Sequence, residues 1–280
     1  MTKLSIITIN FNNVHGLIKT IDSVLAQTSN EFEYIIVDGG STDGSKELIE
    51  QFAIGDKRLT KWISELDNGI YHAMNKGILM AKGEYLQFLN SGDYLVAADV
   101  TEKILKEVVD SPIYYGNMLK VLSDGSILYN KKIPAISFLT FYIGTINHSP
   151  AYIYRKLFDK YGLYDESLKI VSDWKFFLIV VGLNNEEVQY IDVDVTYFDM
   201  KGISNTNLIL DKLERKKVLT ELIPPMILAD YVNHSEDIIK MSRLKRYRFI
   251  KWITWLVDRI IFKYEKYLTK KRKEHIFFND

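Results

Sequence analysis

Three carboxylates stand where an apolar segment gives way to a polar turn, and each invites a different chemistry. Asp93 closes Asn90-Ser91-Gly92-Asp93, directly after the apolar run Tyr85-Leu86-Gln87-Phe88-Leu89. A carboxylate beside a glycine at a strand end can ligate a hard divalent cation, which needs few protein ligands when diphosphate oxygens supply the rest. The same letters also spell an ordinary turn. Asp38 follows Phe32-Glu33-Tyr34-Ile35-Ile36-Val37 and leads into Gly39-Gly40-Ser41-Thr42-Asp43-Gly44. There an ionised carboxylate can accept from a base N–H or from ribose hydroxyls; the alternative is a structural loop in which Asp43 caps the next helix. Asp173, within Ser172-Asp173-Trp174, opens an apolar helix, where an acidic residue also serves as cap and dipole partner. His148 and the segment Glu65-Leu66-Asp67-Asn68-Gly69, each taken alone, read as structural more readily than as chemical.

Other chemistries are excluded by what the chain lacks. With no cysteine it has no disulfide, thiolate metal site or thiol nucleophile. Its first strand runs into Asn10-Phe11-Asn12-Asn13, not a G-x-G-x-x-G turn, and no G-x-x-x-x-G-K-[ST] loop occurs.

The elements that must hold these carboxylates alternate. Leu4–Ile9 is a β-branched run, followed by Leu17, Ile21, Val24 and Leu25 at helical spacing, with Asn12 or Asn13 as N-cap. The strand ending at Asp38 precedes a helix with Leu48, Ile49 and Phe52 on one face. A strand around Trp62-Ile63, a helix from Ile70 to Ala81 and the strand at 85–89 continue the rhythm. The pattern predicts a mostly parallel α/β sheet with right-handed crossovers, its ligands at the carboxyl ends of the strands. From about residue 112, Ile113–Gly116, Met118–Leu122 and Ile127–Tyr129 surround the turn Ser123-Asp124-Gly125-Ser126 and predict a small antiparallel part. Helices return around Arg155–Phe158 and from Asp173 to Val181.

The 280 residues are 47% hydrophobic and 26% charged, enough for one large domain with an appendage. The net charge of +0 hides a split. Residues 240–280 hold 13 Lys and Arg against four Asp and Glu, a charge of +9, while the remaining 239 residues hold 23 basic and 32 acidic groups, a charge of −9. The acidic body argues against nucleic-acid binding. In the tail Phe249, Ile253, Leu256, Ile260, Tyr264 and Tyr267 form an apolar helical stripe flanked by Ile250, Trp252, Val257 and Ile261. Arg243-Leu244-Lys245-Arg246-Tyr247-Arg248 and Lys270-Lys271-Arg272-Lys273 bracket it. Such a helix suits an anionic membrane surface; the alternative is packing on the rest of the chain or on a second copy, as a homodimer. We place the boundary so that residues 1–210 form the main domain and 211–280 the helical extension. The longest apolar run, Phe176 to Leu183, is about eight residues against the roughly 20 of a spanning helix, and the opening Met-Thr-Lys-Leu-Ser-Ile-Ile-Thr has no signal-peptide character. The expectation is a soluble, cytoplasmic chain, at most peripheral to the inner face of the cell membrane.

Taken in order, S-I-I-T-I-N-F-N-N, I-I-V-D-G-G-S-T-D-G-S, S-E-L-D-N-G-I-Y-H-A-M-N-K-G-I, G-E-Y-L-Q-F-L-N-S-G-D-Y and S-D-W-K-F-F-L closely resemble a family 2 glycosyltransferase of the GT-A fold, over roughly residues 3–205. The branch it resembles assembles bacterial surface polysaccharides. The resemblance implies an inverting enzyme, of hexosyl- or N-acetylhexosaminyltransferase type, that moves a sugar from a nucleotide-sugar, a UDP-sugar, to a glycan or lipid-linked acceptor. By position it assigns Thr8, Asn10, Asn12, Asp38, Asp67 and Asn75 to the nucleotide-sugar, Asp93 to Mg2+ or Mn2+, Asp173 to the general base and His148 to the acceptor side. It also makes Gly202-Ile203-Ser204 part of a loop that closes over the donor. The family's D-x-D motif here reads Asn90-Ser91-Gly92-Asp93, which leaves a single-carboxylate metal site. Gly39 and Ser172 likewise stand where acidic neighbours are common. The thinned motif suggests an alternative, a catalytically silent partner subunit that binds a nucleotide-sugar or glycan.

Overall fold

A computed structural model of the chain describes residues 2–55, 58–122, 124, 126–130, 132–200, 207–244 and 248–277. The expected donor loop at Gly202–Ser204, two residues of the turn at 123–126 and residues 245–247 of the basic run lie outside them. The rest divides into two units, residues 1–222 and 223–280.

In the first unit a nine-stranded mixed sheet runs in the order β3-β2-β1-β4-β8-β6-β9-β5, with β7 beside β6. Strands β1 (Leu4–Asn10), β2 (Phe32–Asp38) and β3 (Leu59–Ser64) are parallel, as are β1 and β4 (Tyr85–Phe88). Both β1 and β2 are buried along their whole length, which is why they read as mostly apolar runs, interrupted by Ser5, Thr8 and Glu33, and not as alternating ones. Register sets Asn10 opposite Asp38, and Asp38 opposite Ser64, at one end of the sheet. On one face α1 (Val14–Leu25) drives Leu17, Ile21 and Val24 against Leu4, Ile6, Tyr34 and Ile36, joined by Ile49 of α2 (Ser45–Gly55). On the other face α3 (Ile70–Met80) lies so close that a Cβ on Gly77 would stand 2.5 Å from Ile7 Cγ2.

The antiparallel part is built by β8 (Ala151–Tyr154), β6 (Ile113–Val121) and β7 (Ile127–Asn130). Short β5 (Tyr94–Leu95) pairs antiparallel with β9 (Val188–Phe198), and β9 runs parallel to β6. The sequence pattern splits β6 at Gly116, whereas the structure carries it through as one strand. There Val195 of β9 occupies the room a side chain would take, 2.4 Å from a Cβ at that glycine. Between these strands lie α4 (Val100–Glu107), α5 (Phe138–Ile143), α6 (Lys156–Tyr161) and α7 (Ser172–Phe177), and α7 continues as a π-helical turn, Leu178–Leu183.

Helix α8 (Leu208–Leu222) closes the first unit, with Val218 and Leu219 buried. The division into two units falls after residue 222. In the second unit α9 (Pro225–Leu244) starts on a proline, the helical position that loses no hydrogen bond by it. The 30-residue α10 (Arg248–Phe277) follows. Among the described residues no helix is long and apolar enough to cross a membrane.

Candidate active site

At the carboxyl ends of β1, β2 and β3 the side chains form one hydrogen-bonded corner. Asp38 Oδ1 accepts from Asn10 Nδ2 at 2.7 Å and from Ser41 Oγ at 2.5 Å. Its Oδ2 accepts from the Ser41 N–H at 3.0 Å and from Ser64 Oγ at 2.7 Å. Burial alone would raise the Asp38 pKa, but the donors from Ser41, Ser64 and Asn10 outweigh it and hold the carboxyl below its usual range. Asn12 turns the chain with φ +47°, and its Oδ1 accepts from the Thr42 N–H at 2.9 Å. Beside them Gly39 leaves room for neighbours, since a Cβ there would lie 3.2 Å from both Asp67 Oδ2 and the exposed Phe11 ring. Asp67 Oδ1 holds Lys76 Nζ at 2.5 Å, and Lys76 also pairs with Glu65 at 2.7 Å.

Two expected residues do not face this corner. Thr8 is fully buried and accepts the Tyr34 hydroxyl at 3.0 Å, because alternation along β1 turns it into the core with Leu4 and Ile6. Asn75 lies on the buried face of α3, where Nδ2 donates to the Tyr164 carbonyl and Glu166 while Oδ1 accepts the Tyr164 N–H. It pins a distant loop, with both of its amide N–H groups used there. What the corner does offer is unmet acceptors. Asn10 Oδ1 and Asp67 Oδ2, together with Asn90 Oδ1 on the neighbouring strand end, are buried oxygens with no donor among the described residues. Buried acceptors are nearly always paired, so three at adjacent strand ends mark a place for a ligand's donors.

One strand further along, α1 holds the loop 90–93. Thr20 Oγ1 donates to the Asp93 carbonyl at 2.7 Å and accepts the Gly92 N–H at 3.0 Å, while Asn13 Nδ2 donates to the Ser91 carbonyl. Asp93 is 4% exposed, and among the described residues its carboxylate accepts one backbone N–H, that of Asp199, at 2.8 Å. Burial, with the Asp199 charge added, pushes its pKa up to about 7 against the pull of that single hydrogen bond. Gly92 (φ +107°) lies against Asp199, whose Oδ2 would stand 2.6 Å from a Cβ at that position. Two carboxylates and the free Asn90 oxygen are hard-oxygen donors of the kind a divalent cation takes. Among the described residues no group of three or more His, Asp or Glu side chains converges, so such an ion needs ligand oxygens as well.

The third carboxylate lies beyond α3. Asp173 Oδ1 accepts from the Tyr71 hydroxyl at 2.8 Å, and the same hydroxyl reaches the Ile170 carbonyl at 2.5 Å. Asp173 does not cap its helix: Val171 is the N-cap residue and contributes no side chain. Burial raises the Tyr71 pKa well above its usual value, with the Asp173 charge adding to it. His148 stacks on Phe88 at 4.9 Å and meets the Tyr164 hydroxyl at 3.0 Å. Burial lowers its pKa, the Asp173 charge pulling the other way.

The Glycosyl transferase family 2 profile matches residues 5–164, which hold all the strand-end loops described above. The chain belongs to that family. It is a glycosyltransferase, and the resemblance read from its motifs stands. A PGL/p-HBAD biosynthesis glycosyltransferase of Mycobacterium bovis (strain BCG / Pasteur 1173P2) is 29% identical over 224 residues, covering 78% of this chain and 85% of that one. Glycosyltransferase GlyG of Streptococcus pneumoniae is 32% identical over 129 residues, 45% of this chain and 42% of that one. Among solved structures, S. aureus TarS 1–349 in complex with UDP-GlcNAc superposes with a TM-score of 0.59 at 18% identity, over 83% of this chain and 74% of that one. Of the longer TarS chain this glycosyltransferase spans 43%. A mannosyltransferase from Pyrobaculum calidifontis, with GDP-Man and Mn2+, gives 0.58 at 15% identity over 90% and 82%. At these identities the likeness is one of fold, and the fold is GT-A.

Asp199, Tyr71 and Lys76 escape a reading by motif. Asp199 and Tyr71 meet their partners 106 and 102 residues away, respectively, and Lys76 is marked only by standing one helical turn after His72. Surface cavities of about 400 and 520 Å3 lie elsewhere, around Lys103 and Tyr190 and around Phe138 and Val181, and none of the three carboxylates lines them.

Proposed function

We propose that this glycosyltransferase takes a UDP-sugar as donor and inverts the anomeric centre as it passes the sugar to a glycan or lipid-linked acceptor in surface-polysaccharide synthesis. The observation that carries the reading is the set of unmet acceptors at Asn10, Asp67 and Asn90 beside the anchored Asp38. Uracil N3–H and the ribose hydroxyls are donors that would meet them, and the exposed Phe11 ring offers a face for the base. TarS with UDP-GlcNAc is one neighbour in support, while the mannosyltransferase with GDP-Man keeps guanosine as the rival.

Asp93, with Asn90 and Asp199 beside it, would hold Mg2+ or Mn2+, an ion that neutralises charge on the departing diphosphate. Asp173 takes the proton of the acceptor hydroxyl. The acceptor oxygen then forms its bond to the anomeric carbon from one face while the bond to the diphosphate oxygen breaks on the other, the electron pair leaving with UDP. Tyr71 orients the carboxylate, and His148 lines the acceptor side. Calorimetry tests the donor: UDP should bind more tightly than GDP, and Asp38→Ala should weaken UDP at least about tenfold. Equal affinity for the two nucleotides, or undiminished binding in the variant, contradicts it.

The tail reading rests on charge and exposure. In α10, Trp252, Trp255, Ile260 and Phe262 are all more than half exposed, within a stretch of charge +9. We assign this helix to an anionic lipid surface at the inner face of the cell membrane, where a lipid-linked acceptor would be presented. A chain ending at residue 242 should cosediment with phosphatidylglycerol vesicles far less than the full chain does. Equal cosedimentation, or a dimer in solution that the truncation abolishes, would point to protein packing instead.

A further inference from the structure

We infer that Glu214, on α8, is a positioning residue for the turn that carries Asp173. The inference rests on the reading of Asp173 as base. Helix α8 lies beyond the segment matched by the family profile. Its Glu214 is 8% exposed, and the carboxylate receives three successive backbone N–H groups: Lys169 at 2.8 Å, Ile170 at 2.9 Å and Val171 at 3.3 Å. These are the last residues before α7. The Ile170 peptide is gripped from both sides, its N–H by Glu214 and its carbonyl by the Tyr71 hydroxyl that also serves Asp173. That hydroxyl has one proton and two acceptors. By holding Ile170 through its N–H, Glu214 sets where the Ile170 carbonyl stands and so how Tyr71 addresses the base.

The next residue acts on the other side of Asp173. Arg215 lies over the Trp174 ring at 4.6 Å, donates to the Gly144 carbonyl at 3.1 Å and is steadied by Asp211 at 3.0 Å. Trp174 in turn donates its indole N–H to the Phe141 carbonyl at 2.8 Å. Glu214 and Arg215 thus fix the residues before and after Asp173 from a single helical turn. A base misplaced by a fraction of an ångström loses much of its effect, so the function of such a brace would be geometric.

Glu214→Gln tests this in the full chain. Glutamine fills the same space but turns an N–H2 toward backbone donors, which it cannot satisfy. UDP release would be followed from UDP-GlcNAc or UDP-glucose, whichever the unaltered chain turns over. The expected result is a kcat about tenfold lower with donor KM unchanged, and faster amide exchange at 169–171. In an Asp173→Asn background the same change should cost nothing further. The milder Glu214→Asp, which keeps the charge and shortens the reach, should lower kcat a few-fold with KM again unmoved. An unchanged kcat in Glu214→Gln, a KM that rises with it, or an equal further loss in the Asp173→Asn background would overturn the positioning role. Full turnover in Asp173→Asn by itself would instead remove the base assignment, and the inference with it.

Discussion

Two aspartates close neighbouring parts of the same sheet, and their surroundings treat them in opposite ways. Asp38 receives four hydrogen bonds and titrates below its usual range. Asp93 accepts a backbone N–H from Asp199, stands beside the Asp199 charge and titrates near 7. Burial pushes both upward; at Asp38 the donors from Ser41, Ser64 and Asn10 outweigh it, whereas at Asp93 burial, with the Asp199 charge added, prevails over the backbone hydrogen bond. What this teaches is a division of labour. On the proposed reading, a carboxylate already satisfied by protein shapes a corner for a ligand's donors, whereas one short of donors and next to like charge would be completed by a cation.

The largest effect that could break this comparison belongs to Asp93→Asn. If the cation completes the site, turnover should fall by about 10²-fold or more, and the gain in UDP affinity on adding Mn2+ should vanish. An unchanged response to chelator would undo the assignment. Asp38→Asn comes next. It leaves a donor such as the Ser41 N–H without its acceptor, which costs about 1–3 kcal/mol in denaturant unfolding. The sign with pH follows from the lowered folded pKa: the contribution of Asp38 is full above about pH 4 and fades as pH falls toward the folded value. Asp38→Asn should therefore flatten the acid limb of the stability profile, whereas an unaltered limb would place that titration elsewhere. The smallest effect is Gly92→Ala. A side chain at φ +107° against Asp199 should cost about 1–2 kcal/mol in thermal unfolding and shift Mn2+ affinity, while metal-free UDP binding holds.

The asymmetry between the two aspartates also explains how much the sequence alone discloses. Strands β1, β2 and β4 and the loops after them are legible because mostly apolar runs and polar turns are local signals. Thr8 could have been turned inward by the same alternation that buries Leu4 and Ile6, and Asn75 by its spacing from Tyr71 and Ile78 on α3. Asp199 and Glu214 carry no such mark. Strand β9 mixes Asp192 and Asp194 with its apolar residues, so its course beside β6 emerges only from pairing, and with it the approach of Asp199 to Asp93. Helix α8 looks like a charged surface helix, with Leu208, Ile209 and Leu213 exposed, until Glu214 is seen among backbone donors.

A third aspartate completes the account. Among the described residues Asp173 takes the Tyr71 hydroxyl at Oδ1 and lies at the edge of the core, neither saturated like Asp38 nor enclosed like Asp93. That is the state required of a group that must accept a proton from an incoming hydroxyl. The most direct test is the transfer rate of Asp173→Asn. Asparagine keeps the shape and can still accept from Tyr71, but it cannot take the proton. The account predicts a fall of at least about 10²-fold, within the usual range for a positioned base, with melting temperature and UDP affinity hardly changed. Near-normal turnover would contradict it and move the search for the base to His148.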